Sequence, residues 1–184
     1  MKLVIATTGA SGAIYLQRLL RAIDPAAHEV HLIFSAPARQ VIAEEIGTLE
    51  VPAGVHQHDD RDMNVPFVSG SARFDAMVIV PCSMGTMGRI AAGTSDSVIL
   101  RTADVFLKER RKLILVPRET PWNLVHVRNA ATLLEAGAVL LPANPSFYSK
   151  PQTVEAVADT VVSRLLDQLG VENPTAYRWE EPSK

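Results

Sequence analysis

Cysteine is nearly absent from this chain, which has Cys82 as its one thiol among 184 residues. One thiol excludes an internal disulfide framework and a cysteine-rich zinc site. Cys82 follows a predicted buried strand, so we expect a packed thiol rather than a nucleophile. The five histidines lack metal-ligand spacing, and His56 and His58 fall in a predicted loop; we therefore expect solvated or core-edge histidines and no metal site.

A large net charge and long apolar runs are also absent. The formal net charge is −2 at pH 7, which disfavours nucleic-acid binding by phosphate neutralisation. No apolar run reaches the roughly 20 residues that a membrane-spanning helix needs. We expect a cytoplasmic protein that binds neither nucleic acid nor membrane. Residues 1–184 are expected to form a single domain, with 171–184 as a polar C-terminal tail.

Three nucleotide-binding or catalytic motifs are missing as well. The chain has neither the G-x-G-x-x-G dinucleotide fingerprint nor the G-x-x-x-x-G-K-[ST] phosphate loop. It also lacks the G-x-S-x-G elbow of a serine hydrolase. These absences leave a mononucleotide site or a purely structural turn as the interpretations of its small-residue segments.

Apolar runs alternate with segments of helical periodicity along the whole chain. The predicted strands cover residues 2–7, 29–34, 74–80, 113–116 and 138–141, and 52–72 is predicted to be a long loop. Strands alternating with helices indicate a doubly wound parallel sheet in an α/β, three-layer αβα fold. The flavodoxin-like strand order 2-1-3-4-5 places ligands at the carboxyl ends of strands 1 and 3.

Small-residue turns follow those two strands. Gly9, Ala10, Ser11 and Gly12 lie after the first, and a second turn follows Pro81. Small residues let the backbone approach a phosphate, and the amides of a helix N-terminus then face it. Ser11 alone is equally compatible with a helix N-cap. The two turns side by side predict a mononucleotide such as FMN.

Charged residues at the other element ends suggest substrate contacts. Arg118 and Glu119 stand between two prolines at the end of the fourth predicted strand, where they either contact a ligand or form a structural ion pair. Arg164 lies within an apolar helix, where it either pairs or binds an anion. The charge run 108–112 by itself is typical of a solvated helix end.

Five motifs together resemble one family. In order they are TGASGA (8–13), PCSMGT (81–86), RTADVFLKERR (101–111), PRETP (117–121) and FYSKPQ (147–152). The chain resembles the UbiX/Pad-type flavin prenyltransferases from residue 2 to about residue 179. Each motif is weak alone, and the ordered set is specific.

The resemblance implies an enzyme, a metal-independent transferase with a flavodoxin-like fold. It would transfer the dimethylallyl group of dimethylallyl phosphate to N5 and C6 of reduced FMN, making prenylated FMN for UbiD-type decarboxylases. It also implies a homo-oligomer, a dodecamer in this family.

The resemblance assigns roles residue by residue. The implied FMN-binding residues are Gly9, Ala10, Ser11, Ser35, Ser83, Met84, Gly85, Thr86 and Arg118. The implied donor-binding residues are Tyr148, Arg164, Lys108 and Trp179, the last closing the site from the tail. The implied catalytic residues are Ser11, Glu45, Glu119, Lys108 and Arg101, assembled across subunits.

Two alternatives remain open at this point. FMN-dependent cysteine decarboxylases belong to the same superfamily, but the 81–86 turn lacks their asparagine motif. A flavin carrier is the second alternative, although it would need no cluster of Arg, Lys, Tyr and Glu beside the flavin.

Overall fold

The computed structural model describes residues 1–174 and 176–179. Its centre is a six-stranded parallel sheet with the order β3-β2-β1-β4-β5-β6. The strands are β1 (Lys2–Thr7), β2 (Glu29–Phe34), β3 (His56–Asp59), β4 (Ala76–Cys82), β5 (Lys112–Pro117) and β6 (Val139–Leu140). The helices are α1 (Ala13–Ala22), α2 (Ala36–Glu45), α3 (Met84–Ala91), α4 (Val98–Lys108), α5 (Leu124–Glu135) and α6 (Val154–Leu169). A 3-10 turn covers Pro66–Val68.

The flavodoxin-like fold is confirmed. The five predicted strands correspond to β1, β2, β4, β5 and β6, and their observed order is the predicted one. Helix α3 begins directly after its capping residue Ser83. The side chains of five residues cap helix starts by accepting the amide three residues later: Ser35, Ser83, Ser97, Asn123 and Thr153.

The prediction of a loop throughout 52–72 was wrong, because β3 lies within it. β3 pairs with β2 in the register His31↔His56 to Phe34↔Asp59. Its sequence, His-Gln-His-Asp, is polar, and most of its side chains are exposed. Strand pairing uses backbone groups, so a short edge strand needs no apolar pattern. Hydrophobic periodicity therefore could not reveal it.

Helices cover both faces of the sheet. On one face, Leu3 and Ile5 of β1 pack with α1 and α6, including Leu16 and Leu165. On the other, Val4 and Ala6 pack with α3, α4 and α5. Because both faces are covered, the inner strands are apolar without alternation. No helix in the part of the chain that the structure describes has the length and apolarity to cross a membrane.

A histidine cluster lies at the β2–β3 edge. His31 is buried, and its Nδ1 lies 2.9 Å from Nε2 of His58. The His31 ring also contacts Phe67 and Phe74 edge-on, with centroids 5.3 Å away in each case. Burial is the main cause that lowers the pKa of both His31 and His58. His31 thus takes the predicted core-edge role.

Candidate active site

The turns after β1 and β4 are tied together directly. The backbone amide and hydroxyl of Thr8 donate to the carbonyl of Pro81, at 3.2 and 2.9 Å. Thr8 Oγ1 in turn accepts from the amide of Ser83 at 2.8 Å. Val80 and Pro81 are joined by a cis peptide bond. The two small-residue turns therefore form one continuous surface, as expected from the strand order.

Glycine is required on both sides of the first turn. A Cβ atom at Gly9 would lie 2.5 Å from the Cβ of Pro37, at the start of α2. Gly12 has a φ of 122° and is the N-cap of α1, with no side-chain cap. The N-cap interpretation of Ser11 was therefore wrong, because the chain enters the helix one residue later.

A carboxylate of the chain itself occupies the N-terminus of α1. Glu45 Oε2 accepts the amides of Gly12 and Ala13 at 2.9 and 2.8 Å. Burial raises the pKa of Glu45, but hydrogen bonds from Ser11, Gly12 and Ala13 and the charge of Arg118 outweigh it, and the pKa lies below its usual range. The sequence predicts a ligand phosphate against this helix end; instead, the anion there is Glu45.

Arg118 faces the same cluster from the end of β5. Its amide donates to the carbonyl of Cys82 at 3.2 Å, and its side chain is half-buried. Its charge acts on both Glu45 and Tyr15. Burial nevertheless raises the pKa of the Tyr15 hydroxyl overall. Ser11, Glu45 and Arg118 thus form one charged cluster at the carboxyl edge of the sheet.

The start of α3 is open to an anion. Ser83 Oγ accepts the amide of Thr86 at 3.2 Å and lies 3.0 Å from its hydroxyl. A Cβ atom added to the exposed Gly85 would meet no other atom within 4 Å. The first amides of a helix have no partner within it. Free space, first-turn amides and hydroxyls fit a phosphate group, with Arg118 at the neighbouring strand end.

Glu119 and Ser35 complete the carboxyl edge. Glu119 is exposed, its Oε1 accepts the amide of Thr120 at 3.0 Å, and its carbonyl accepts Nε1 of Trp122 at 3.0 Å. No ion pair joins Arg118 to Glu119 in residues 1–174 and 176–179. Ser35 caps α2 through the amide of Ala38 at 3.3 Å. The geometry therefore does not support the structural ion-pair alternative for Arg118 and Glu119.

A second group of predicted residues lies in a separate cavity. Its volume is about 930 Å³, and it lies between α1, α6, the loop after β6 and the tail. Tyr148 and Trp179 meet edge-on there, with ring centroids 5.4 Å apart. Arg164 lies in the same wall and pairs with Asp167 at 2.8 Å. Ser11, Glu45 and Arg118 are not among the residues that line this cavity.

A third group of predicted residues, Arg101 and Lys108, lies on α4. Arg101 pairs with Asp104 at 2.7 Å and donates to the carbonyl of Val68 at 3.2 Å. Lys108 pairs with Glu109 and ends α4, four residues before β5 begins. It therefore lies towards the amino ends of the strands, opposite the Arg118 cluster. One chain does not bring the three groups together.

Three residues of these clusters were not predicted from the sequence. Asp167 follows Arg164 by three positions on a helix, a spacing that indicates a pair. Arg178 precedes Trp179 and binds the Asp167 carboxylate at 2.7 and 2.8 Å. Tyr15 lies beside Arg118, but nothing in the sequence indicates that approach. The tail residues 175 and 180–184 lie outside the described part of the chain.

Known proteins are similar to this sequence along almost its whole length. The profile of the family described as "Flavoprotein" matches residues 1–166. A flavin prenyltransferase UbiX of Methanocaldococcus jannaschii is 44% identical over 97% of this chain and 98% of its own length. The chain belongs to the UbiX flavin prenyltransferase family. Family membership makes it a flavoprotein and a transferase, and the cysteine-decarboxylase and carrier alternatives are not favoured.

Two solved structures of similar proteins share this fold. AnUbiX (PadA1), in complex with FMN and dimethylallyl pyrophosphate, has a TM-score of 0.91 and 40% identity, covering 99% of this chain and 98% of its own. A dodecameric, FMN-dependent UbiX-like decarboxylase from Escherichia coli O157:H7 has a TM-score of 0.89 and 40% identity, covering 98% and 100%. The similarity therefore covers nearly the whole chain.

Proposed function

We propose that this protein transfers the dimethylallyl group of dimethylallyl phosphate to N5 and C6 of reduced FMN. The observation that carries the proposal is the cluster of Ser11, Glu45 and Arg118 at the carboxyl edge, in a chain of the flavin prenyltransferase family. The AnUbiX structure holds FMN together with a dimethylallyl donor, which supports the same pair of substrates here.

FMN fits the carboxyl edge. Its phosphate would lie at the start of α3, against Ser83, Thr86 and the first-turn amides, with Ser35 and Arg118 nearby. Its ring would be held beside Ser11 and the turn 9–11. Bound reduced FMN supplies the nucleophilic atoms of the reaction.

Ser11 and Glu45 would handle a proton beside the ring. The Glu45 carboxylate stays ionised at neutral pH, because its pKa lies below the usual range. It accepts a hydrogen bond from the Ser11 hydroxyl, which directs the hydroxyl proton towards Glu45. In this orientation, Ser11 Oγ can receive a proton from the cofactor side as its own hydroxyl proton passes to the Glu45 carboxylate, which becomes the neutral acid.

The donor phosphate would be held by cations and a phenol. Loss of an allylic phosphate builds negative charge on the leaving group, which Arg164, Lys108, Arg101 and Tyr148 would stabilise, with Glu119 near the allylic oxygen. Trp179 and Tyr148 would present aromatic faces to the developing allyl cation. Because these residues lie in three separate places within one chain, different subunits would supply them.

That separation supports assembly into a homo-oligomer, and the dodecameric Escherichia coli relative supports twelve subunits. An apolar stripe on α5 supports it: Leu124, Val127 and Leu134 are 60%, 50% and 54% exposed, and they lie on one helix face. Sedimentation velocity measures the assembly, and a monomer carrying full activity would contradict it.

We also propose a cytoplasmic location, one domain over residues 1–184 and delivery of the product to a UbiD-type decarboxylase.

The decisive experiment is anaerobic incubation with reduced FMN and dimethylallyl phosphate, followed by mass analysis of the extracted flavin. A gain of one C5 unit supports the proposal, and a parallel reaction with the pyrophosphate ranks the two donors. Unmodified flavin with both donors, from folded and flavin-loaded protein, would contradict it. The cysteine decarboxylase would then be tested with peptide and phosphopantothenoyl cysteines.

A further inference from the structure

We call the cavity between α1, α6, the loop after β6 and the tail the tail cavity. One carboxylate in it binds two arginines. Asp167 Oδ2 accepts from Arg164 Nη1 at 2.8 Å and from Arg178 Nη1 at 2.7 Å, while its Oδ1 accepts from Arg178 Nη2 at 2.8 Å. The Asp167 side chain is 19% exposed, against 65% for Arg164. Two guanidinium groups this close repel each other, and the shared carboxylate offsets that repulsion. We call these three residues the tail clasp.

The two arginines of the tail clasp, its two arms, belong to different parts of the chain. Arg164 belongs to α6, one turn before Asp167. Arg178 belongs to the tail and directly precedes Trp179, whose ring contacts Tyr148 edge-on. Asp167 therefore fixes an arginine on a helix and, through Arg178, the aromatic contact that lines the same cavity.

We propose that Asp167 is a positioning residue that couples closure of the C-terminal tail to the orientation of Arg164 in the donor site. The proposal rests on the donor-binding role given above to Arg164, Tyr148 and Trp179. A flexible arginine on a solvated helix face samples many rotamers, and a fixed carboxylate restricts it to those that point into the cavity. Bidentate binding fixes Arg178 more firmly than the single bond fixes Arg164.

Because of this asymmetry, replacing Arg164 and replacing Arg178 should have different effects on the tail and on the donor site. Loss of Asp167 would release both Arg164 and the tail. Loss of Arg178 would release the tail alone, and loss of Arg164 would leave the tail held by both oxygens of Asp167. Arrival of a phosphate would draw on the remaining donors of Arg164 without displacing Arg178.

A matched control lies in the same wall. Asp159, also on α6, binds Arg18 of α1 in a bidentate pair at 2.6 and 2.7 Å. Both residues line the cavity, and their ion pair joins α6 to α1 instead of to the tail. Asp159→Asn removes an equivalent ion pair, so it measures the general cost of breaking one in this wall.

The test uses the full-length assembled protein with Trp122→Phe, which leaves Trp179 as the one tryptophan of the chain. Fluorescence anisotropy decay then reports fast motion of Trp179, and steady-state kinetics reports KM and kcat for dimethylallyl phosphate. We expect Asp167→Asn to enlarge the fast motion and to raise KM about tenfold, one decade in affinity, with kcat changed less than KM. Arg178→Gln should enlarge the motion with a smaller KM effect, and Arg164→Gln should raise KM without freeing Trp179.

Three results would overturn the proposal. Unchanged anisotropy in both Asp167→Asn and Arg178→Gln would show that the clasp does not hold the tail. Equal KM effects of Asp159→Asn and Asp167→Asn would reduce Asp167 to a general structural role. A loss confined to kcat would also contradict positioning of a binding arginine. If the wild-type protein forms no prenylated flavin, the proposed function fails, whereas the anisotropy still decides whether Asp167 holds the tail.

Discussion

The carboxyl edge and the tail cavity hold their charged side chains in different ways. At the carboxyl edge, Glu45 is held by backbone amides of α1, and Arg118 extends from the rigid end of β5. In the tail cavity, Arg164 and Arg178 are held by a side-chain carboxylate, and Tyr148 and Trp179 are 70% and 67% exposed. Backbone anchoring suits a preformed flavin site, whereas side-chain anchoring suits a part that closes when the donor arrives.

The largest effect should come from removing one reacting group in each region. We expect Glu119→Gln and Tyr148→Phe each to lower prenylation by at least about 100-fold, the usual contribution of a proton-handling or charge-stabilising group. FMN should stay bound, since neither residue belongs to the proposed flavin site. Turnover and flavin content of the purified variants measure both quantities, with Glu155→Gln as an exposed carboxylate control. Full turnover in either variant would remove that residue from the mechanism.

Arg118 should give the opposite result, affecting the flavin rather than the donor. A charged hydrogen bond contributes about 1.5–3 kcal/mol, so Arg118→Ala should weaken FMN binding roughly 10- to 100-fold. Fluorescence titration with FMN measures the dissociation constant, and Arg73→Ala, at an exposed position, is the control. Unchanged flavin affinity would place the phosphate away from the β5 end and break the comparison between the two regions.

The two regions also differ in how far the sequence could predict them. Apolar runs and small-residue turns predicted β1, β4 and their adjacency, because those patterns are local. Ser11 and the 83–86 turn could consequently be assigned to one edge of the sheet from the sequence alone. The motif set supplied Tyr148, Arg164 and Trp179 only by resemblance, since none of them has a local pattern that indicates a shared cavity.

Contacts between distant residues could not be predicted. Glu45 caps α1 from 32 to 33 residues away, so neither its position nor its own helix indicates that contact. The polar strand β3 was missed because edge pairing needs no apolar side chains. Asp167 has a helical spacing to Arg164, yet its second bond depends on the path of the tail back to α6.

Replacing Glu45 tests whether the backbone-anchored carboxylate at the carboxyl edge contributes to the free energy of unfolding. Glu45→Gln should lower the free energy of unfolding by about 1 kcal/mol, as loss of a helix cap does. The folded protein keeps this carboxyl ionised at a lower pH than the unfolded chain. The benefit is therefore complete above the unfolded pKa of about 4.3 and disappears as the pH falls through the folded pKa.

Chemical denaturation of wild type and Glu45→Gln between pH 7 and pH 3 measures this difference. Glu44→Gln, at the neighbouring exposed position, is the matched control and should change little. A difference between wild type and Glu45→Gln that grows on acidification would contradict the capping role.

The histidine cluster differs from both regions in its electrostatics. Burial there favours the neutral form of the imidazole rings, whereas the charged groups of the two regions are stabilised by hydrogen bonds or ion pairs. The pKa values of His31 and His58 are lowered in the folded protein, so the unfolded chain binds more protons as the pH falls. Stability should therefore decrease as the pH drops through about 6.5 and level off below the folded pKa values. His58→Gln should flatten this slope in thermal unfolding between pH 8 and pH 5. His28→Gln, outside the cluster, should keep the wild-type slope, and an identical slope in His58→Gln would show that the buried pair does not govern acid sensitivity.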